Sequence, residues 1–213
     1  MGDAERRRSR EVVWDHGVVT RERRWETLDQ HGATVWLTGL SGSGKSAVAS
    51  AVEASLLERG RAAYRLDGDN LRHGLNADLG FSPAERDENV RRVAEVAALF
   101  ADAGLVALVA LVSPYAAGRQ AARNIHRERG LDFYEVWVDT PLEECRRRDP
   151  KGLYERARQG SVAQMTGVEQ PYEAPEHPDL VIPGASVSIE EGAARVLALL
   201  GGASSTAAVG VAP

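Results

Sequence analysis

An α/β fold built on a largely parallel sheet is predicted for this 213-residue chain by three observations. Apolar strand-like runs alternate with amphipathic helix-like segments, with no repeat and no internal linker. A glycine-rich turn, GLSGSGKS at 39–46, stands between the first strand and the first amphipathic helix. Hydrophobic residues make up 43% and charged residues 27%, the balance of a soluble domain whose length suits one core.

Each element has its own signal. ATVWLT (33–38) reads as a buried strand feeding the glycine turn. The helix after it starts near Lys45, carries Val48, Val52 and Leu56 at four-residue spacing, and stops at Gly60. AAYRL (62–66) is a second strand, halted by DGDN. Residues 83–103 form a long helix with Val90, Val93, Ala94, Ala97 and Phe100 on one face. The apolar run GLVALVALV is too short to span a membrane, and 105–112 reads as the third strand. AAGRQAARNIHRE is a helix, FYEVWV (133–138) the fourth strand, DLVI (179–182) a short fifth, and 188–200 a final helix. Residues 149–178, rich in Gly, Pro and charge with a short helix near 152–159, read as a lid. Residues 1–10 read as a charged arm and 201–213 as a flexible tail, which leaves a single domain over 11–200.

The totals exclude several classes. A formal charge of −5 argues against a binder of nucleic-acid polymers. The single cysteine, Cys145, permits no internal disulfide and fits a reducing cytoplasm. It shares no metal-ligand spacing with the five histidines, so a structural zinc is not expected. The start MGDAERRRSR lacks the apolar centre of a signal peptide.

The chemistry centres on the spacing G-x-x-x-x-G-K-S, which with a strand before it and a helix after it marks a P-loop. Backbone amides over Gly39, Leu40, Ser41, Gly42, Ser43 and Gly44, together with the helix N-terminus, suit the phosphates of ATP. The Lys45 ammonium neutralises charge that moves during transfer, and the Ser46 hydroxyl is placed for Mg²⁺. Such a site also needs a carboxylate at a strand end. Asp139 fits the hydrophobic-run-then-Asp pattern, but fits equally as the turn and cap before a helix. The pair Asp67 and Asp69 is favoured, because a second carboxylate can accept a proton from an attacking hydroxyl. Downstream, DGDNLRHGLNADLGFSPAERDENVRR concentrates Arg72, His73, Phe81, Arg86, Asn89, Arg91 and Arg92. Arginines so spaced suit a compact oxyanion, and Phe81 offers a flat face to a base. Arg91 and Arg92 fit a solvated helix face equally well, through pairs such as Glu88–Arg92.

The stretches VVWDHGVVTRERRW, GLSGSGKS, LDGDNLRHGLNADLGFS, ENVRR, VSPY, VDTPLEECRRRDPKGLYERAR and TGVEQPYEAPEHPDL follow one another over roughly residues 11–183. Together they resemble the adenylylsulfate kinase family. That resemblance implies a nucleotide-kinase-like P-loop NTPase fold, usually as a homodimer. It implies phosphorylation of the 3′-hydroxyl of adenosine 5′-phosphosulfate by ATP with Mg²⁺, giving 3′-phosphoadenylyl sulfate and ADP. By the same resemblance Lys45 and Ser46 serve ATP and metal, and Asp67 or Asp69 serves metal water and the 3′-hydroxyl. Arg72, Arg86 and Asn89 hold the phosphosulfate and ribose, Phe81 stacks on the substrate adenine, and Arg148 and Lys151 belong to the lid. Ser113, in VSPY, matches a serine the family assigns as a phosphorylated intermediate. In-line transfer needs no covalent step, so a serine that hydrogen-bonds substrate is the preferred reading.

Three positions depart from the family pattern: Ala47 where Thr is common, Asp15 where His is frequent, and Met165 where Phe is typical. Met165 bears most on function, because that Phe forms a second wall for the substrate adenine. The resemblance further implies a cytoplasmic enzyme supplied by a separate ATP sulfurylase. Two other readings compete. One is a P-loop kinase for another small alcohol; the other is a non-catalytic nucleotide-binding subunit regulating a sulfurylase, against which intact Lys45, Ser46, Asp67 and Asp69 weigh.

Overall fold

The computed structural model describes residues 13, 15, 17–161 and 164–203. The arm at 1–10 and the tail from 204 onward lie outside them. Five strands, β1 (Ala33–Thr38), β2 (Ala63–Asp67), β3 (Val106–Ala110), β4 (Asp132–Asp139) and β5 (Leu180–Pro183), form one sheet in the order β2-β3-β1-β4-β5. Every pairing is parallel, and β1 lies at the centre between β3 and β4. Parallel neighbours need crossovers, and the helices that provide them cover both faces of the sheet.

That is why β1 is buried along its whole length rather than on alternate residues. Val35 and Leu37 point to one face, where they pack with Val48, Val52 and Leu56 of α2 (Lys45–Glu58) and Val196 of α8 (Ile189–Ala203). Trp36 points to the other, against Val90, Val93, Ala94 and Ala97 of α4 (Pro83–Asp102) and Ile125 of α5 (Ala116–Glu128). The four-residue spacing read in α2 therefore marks its core stripe, and most of the α4 face is buried as expected. Phe100 is only partly covered and stacks on Tyr64, with ring centroids 5.2 Å apart.

The remaining helices are α1 (Arg21–Leu28), α3 (Gly68–Leu71), α6 (Leu142–Arg148) and α7 (Leu153–Arg158). Of these, α7 is read from sequence, and α6 only as the helix that Asp139 would cap. The DGDN stop to β2 is itself the short helix α3, capped by the Asp67 carboxylate accepting from the Asp69 N–H. At the other end, α8 continues to Ala203, past the boundary at 200. A Cβ built on Gly201 or Gly202 would meet nothing within 4 Å beyond its own helix, so the last turn faces open space at these positions. No helix among the described residues is long and apolar enough to cross a membrane.

Candidate functional site

The loop from Gly39 to Ser46 leaves the C-terminal end of the central strand, where a doubly wound sheet opens its ligand crevice. Gly39 (φ 146°) turns the chain away from β1, and a Cβ there would lie 2.6 Å from the Val138 carbonyl. Gly44 (φ 111°) is the N-cap of α2 and starts the helix with its free amides facing outward. The Lys45 side chain is buried, and its ammonium donates to the Leu40 carbonyl (2.7 Å) and to Ser43 Oγ (3.4 Å). Burial lowers its pKa from the ordinary lysine value of 10.5 to about 8. Thr140 Oγ1 donates to the Ser43 carbonyl (2.9 Å) and ties the loop to the end of β4.

A cavity of about 910 Å³ opens over this loop, at the upper end of the usual range for one small ligand. The loop from Ser41 to Ser46 lines it, as do Asp67, Asp69, Arg72, Phe81, Arg86, Asn89, Ser113, Arg148, Lys151 and Met165. Two predicted ATP contacts are placed differently: Gly39 and Leu40 do not line it. Gly39 is turned under Val138, and Leu40 packs its side chain beside Cys145, Tyr154 and Met165, so both shape the loop from behind.

Of the candidate strand-end carboxylates, Asp67 and Asp69 line the cavity. Asp139 does not line the cavity; its carbonyl accepts from the Gly184 N–H, and Pro141 rather than Asp139 caps α6. Asp67 is buried and accepts from Arg65 Nη1 (2.7 Å) through one oxygen and from Asp69 N–H (3.1 Å) through the other. Asp69 stands on the first turn of α3 with its carboxylate half in solvent, where Lys151 of the lid donates to it.

Ser113 follows β3 with φ 38°, a backbone conformation that a side chain rarely adopts. Its hydroxyl donates to Thr38 Oγ1 (3.0 Å) and accepts from Trp36 Nε1 (3.1 Å). No carboxylate, imidazole or amine among the described residues hydrogen-bonds this hydroxyl. A serine nucleophile needs such a base, so the geometry suits a positioned hydroxyl.

On the far side of the cavity the chain displays an aromatic ring between two cations. Arg72 Nη1 donates to the Leu79 and Gly80 carbonyls (2.9 Å each). Glu85 accepts from the Gly80 and Ser82 N–H groups and completes a capping box with Ser82 at the start of α4. Phe81, fixed between these anchors, stays 52% exposed, with the Arg72 guanidinium 4.2 Å and that of Arg86 5.5 Å from its ring centre. Burial lowers the pKa of both arginines from the ordinary value, and the two together supply a partly desolvated positive wall. Asn89 is buried and accepts from Asn76 Nδ2 (3.0 Å), which leaves its own NH₂ group for a ligand. Arg91 and Arg92 are instead surface pairs: Glu88 holds both, and Asp78 holds Arg92 as well.

The lid closes the site from above. Arg148 donates to the Ser43 carbonyl (3.4 Å) and to the Gly184 carbonyl (2.6 Å), beside Val187 and Ile189, which form an apolar end wall. Tyr154 donates to the Ser41 carbonyl (2.9 Å) and so docks α7 directly on the glycine loop. Met165 lines the cavity yet is only 6% exposed, packed with Cys145, Tyr154, Leu40, Leu142 and Leu153. Arg86 reaches the neighbouring Gln164 carbonyl (2.7 Å), which joins the Phe81 wall to this segment. Sequence reasoning missed Asn76, Thr140, Tyr154 and the Gly184–Ile189 wall. Only the glycine in IPG at 182–184 carried a local signal.

A P-loop whose buried lysine faces a separate arginine–aromatic wall across one cavity defines a nucleotide-dependent small-molecule kinase. Comparison narrows the class. Residues 31–183 match the family model described as adenylylsulphate kinase, and the chain belongs to that family. It is 57% identical over 169 residues to the bifunctional enzyme CysN/CysC of Mycobacterium tuberculosis, covering 79% of this chain but 27% of that one. With the adenylyl-sulfate kinase of Emericella nidulans it shares 49% identity over 191 residues, covering 87% and 93% of the two chains. Among solved structures it is similar to the Mycobacterium tuberculosis APS kinase CysC in complex with AMPPNP and APS. There the TM-score is 0.78 at 57% identity, covering 81% of this chain and 99% of that one.

Proposed function

We propose that this chain transfers the γ-phosphoryl group of ATP to the 3′-hydroxyl of adenosine 5′-phosphosulfate, giving 3′-phosphoadenylyl sulfate and ADP. One observation carries this reading: the glycine loop and the Arg72–Phe81–Arg86–Asn89 wall open on the same cavity, with Asp69 and Ser113 between them. The phosphates of ATP lie along the loop amides, and Lys45 compensates the charge that develops as the phosphoryl group leaves. Its adenine sits at the Arg148–Gly184 end. The acceptor adenine lies on Phe81 while Arg72 and Arg86 face its anionic tail. Asp69 takes the proton of the 3′-hydroxyl, and Ser113 holds the acceptor in line. A site of this kind has to exclude water, or transfer becomes hydrolysis; the lid contacts of Tyr154 and Arg148 serve that end.

The residues fit Mg²⁺. Ser46 and Asp67 line the cavity as hard oxygen donors, and among the described residues no cluster of three or more His, Cys, Asp or Glu would hold a metal alone. That is the pattern for an ion completed by phosphate and water oxygens, whose charge would offset that of the phosphates. The enzyme is further proposed to work in the cytoplasm, as a homodimer, on substrate made by an ATP sulfurylase. A coupled ADP-release assay tests the activity: turnover is expected with Mg²⁺ and adenosine 5′-phosphosulfate, and phosphate on the 3′-oxygen of the product. Equal turnover with AMP, adenosine or shikimate would overturn it.

A further inference from the structure

Arg119, on the first turn of α5, lies outside the cavity and is 3% exposed, and each of its three guanidinium nitrogens makes a hydrogen bond. Nε donates to Glu135 Oε1 (2.6 Å) on β4, Nη1 to the Ser113 carbonyl (2.8 Å), and Nη2 to the Glu173 carbonyl (2.7 Å). Its charge also lies 5.9 Å from the Tyr172 ring centre. The two carbonyls belong to different segments: Ser113 lines the cavity, whereas Glu173 lies outside it. One is the Ser113 turn with its positive φ; the other is the strap at 170–176, on the chain that continues from the lining residues Met165 and Thr166.

Other bonds stitch the same two pieces. Glu173 N–H donates to the Pro114 carbonyl (2.9 Å), and the Glu173 carboxylate accepts from Ala116 N–H (2.7 Å). Tyr115 donates to Gln170 Oε1 (2.8 Å), and the Tyr172 hydroxyl lies 3.1 Å from Thr38 Oγ1. Arg119 bonds both segments through a rigid fork, and Glu135 fixes the plane of that fork. Among the described residues, the hydrogen bonds of Arg119 go to Glu135, Ser113 and Glu173 and not to the ATP half at 41–46 and 184–189.

We infer that Arg119 is a positioning residue for the acceptor: it clamps the Ser113 turn to the 170–176 strap and so sets affinity for the phosphate acceptor rather than for ATP. This rests on the function proposed above for its kinetic consequences, but the clamp itself can be read without turnover. The orienting partner Glu135 also meets Arg123 (3.7 Å), which keeps Asp179 (2.7 Å), so the ion pair can be altered without stranding its neighbours.

Two variants separate the clamp from general stability. Arg119→Lys keeps a charge opposite Glu135, but one ammonium cannot reproduce the two-armed fork. The double variant Arg119→Met/Glu135→Gln removes both charges and leaves none buried alone. Both are expected to fold, with hydrogen exchange faster at 113–117 and 170–176 and unchanged at 41–48. KM for adenosine 5′-phosphosulfate, and its Kd in the presence of ADP, should rise about tenfold or more, with KM for ATP within about twofold. Wild-type exchange and acceptor affinity in both variants would overturn the inference. So would parallel rises in both KM values, or faster exchange throughout the chain, which mark a general structural role. If the wild-type protein shows no acceptor-dependent turnover, the functional reading fails instead, and the exchange pattern still decides on the clamp.

Discussion

Lys45 gives the sharpest quantitative test of the site. Its ammonium is buried beneath the glycine loop with one carbonyl and one hydroxyl as partners, and burial holds its pKa at about 8 against 10.5 in the open chain. The sign follows from linkage. A lysine whose folded pKa lies below its unfolded one opposes folding while it is protonated. The penalty is full below pH ~8, fades as pH rises towards ~10.5, and is absent above it. Near neutrality the lowering corresponds to roughly 3 kcal/mol. Lys45→Met removes that term but leaves the Leu40 carbonyl without its donor, which costs about 1 kcal/mol. The ligand-free variant should therefore melt higher than wild type by about 4–8 °C at pH 7, and lose the rise in stability with pH across this window.

Bound phosphates reverse the balance by placing negative charge against the ammonium. Near pH 8.5 the ligand-free lysine is about one-quarter protonated, so binding a fully ionised nucleotide should take up about three-quarters of a proton. Calorimetric titration with ADP in buffers of different ionisation enthalpy measures this directly. Lys45→Arg, charged at every accessible pH, should show no such uptake. Wild-type uptake below about 0.2 proton, or a Lys45→Met protein that melts lower than wild type, would refute the reasoning.

Two further outcomes follow from the site geometry. Ser113→Ala should keep kcat within about tenfold of wild type, because no base serves its hydroxyl; complete loss of turnover with a trapped phosphoserine in the parent protein would reverse this. Met165→Phe should lower the melting temperature by overpacking a cluster that includes Cys145 and Tyr154, a cost of about 1–3 kcal/mol, without tightening the acceptor; tighter binding at unchanged stability would show that the side chain faces the adenine.

What the sequence disclosed was whatever repeats locally or has a fixed spacing. The strands and the stripes of α2 and α4 declare themselves by apolar period, and the glycine loop by its spacing between a strand and a helix. The helix α1 escaped because RERRWETL has no apolar period and no buried residue; it is held from outside, by Arg21 and Arg24 on Asp102 and by Trp25 donating to the Ala101 carbonyl. Its Thr20 cap with Glu22 in the first turn was the available signal. Asn76, Tyr154 and Arg119 escaped for another reason. Each acts through a partner 13 to 113 positions away, at Asn89, Ser41 and Glu173 among others, and no local period or spacing marks the pairing. Met165 has a second role that resemblance alone did not show. A position matched by resemblance to a wall for the base does line the cavity, and its side chain also fills the joint between the lid and the glycine loop.

That joint bears on where the site can open. Leu153, Tyr154 and Met165 of the lid join Leu40 of the glycine loop, and Leu142 and Cys145 of α6, in one apolar cluster. Each such side chain contributes about 1.5–3 kcal/mol when fully buried. The lid holds the acceptor wall differently, through Lys151 on Asp69 and Arg86 on the Gln164 carbonyl, both in contact with solvent. Exposed pairs of this kind contribute about 0–1 kcal/mol and weaken with salt. Separation is therefore far less costly at the acceptor wall than at the glycine loop. An acceptor entering there would release the Lys151 and Arg86 contacts that its own anionic groups can replace, while α7 stays docked over the phosphates of ATP through Tyr154.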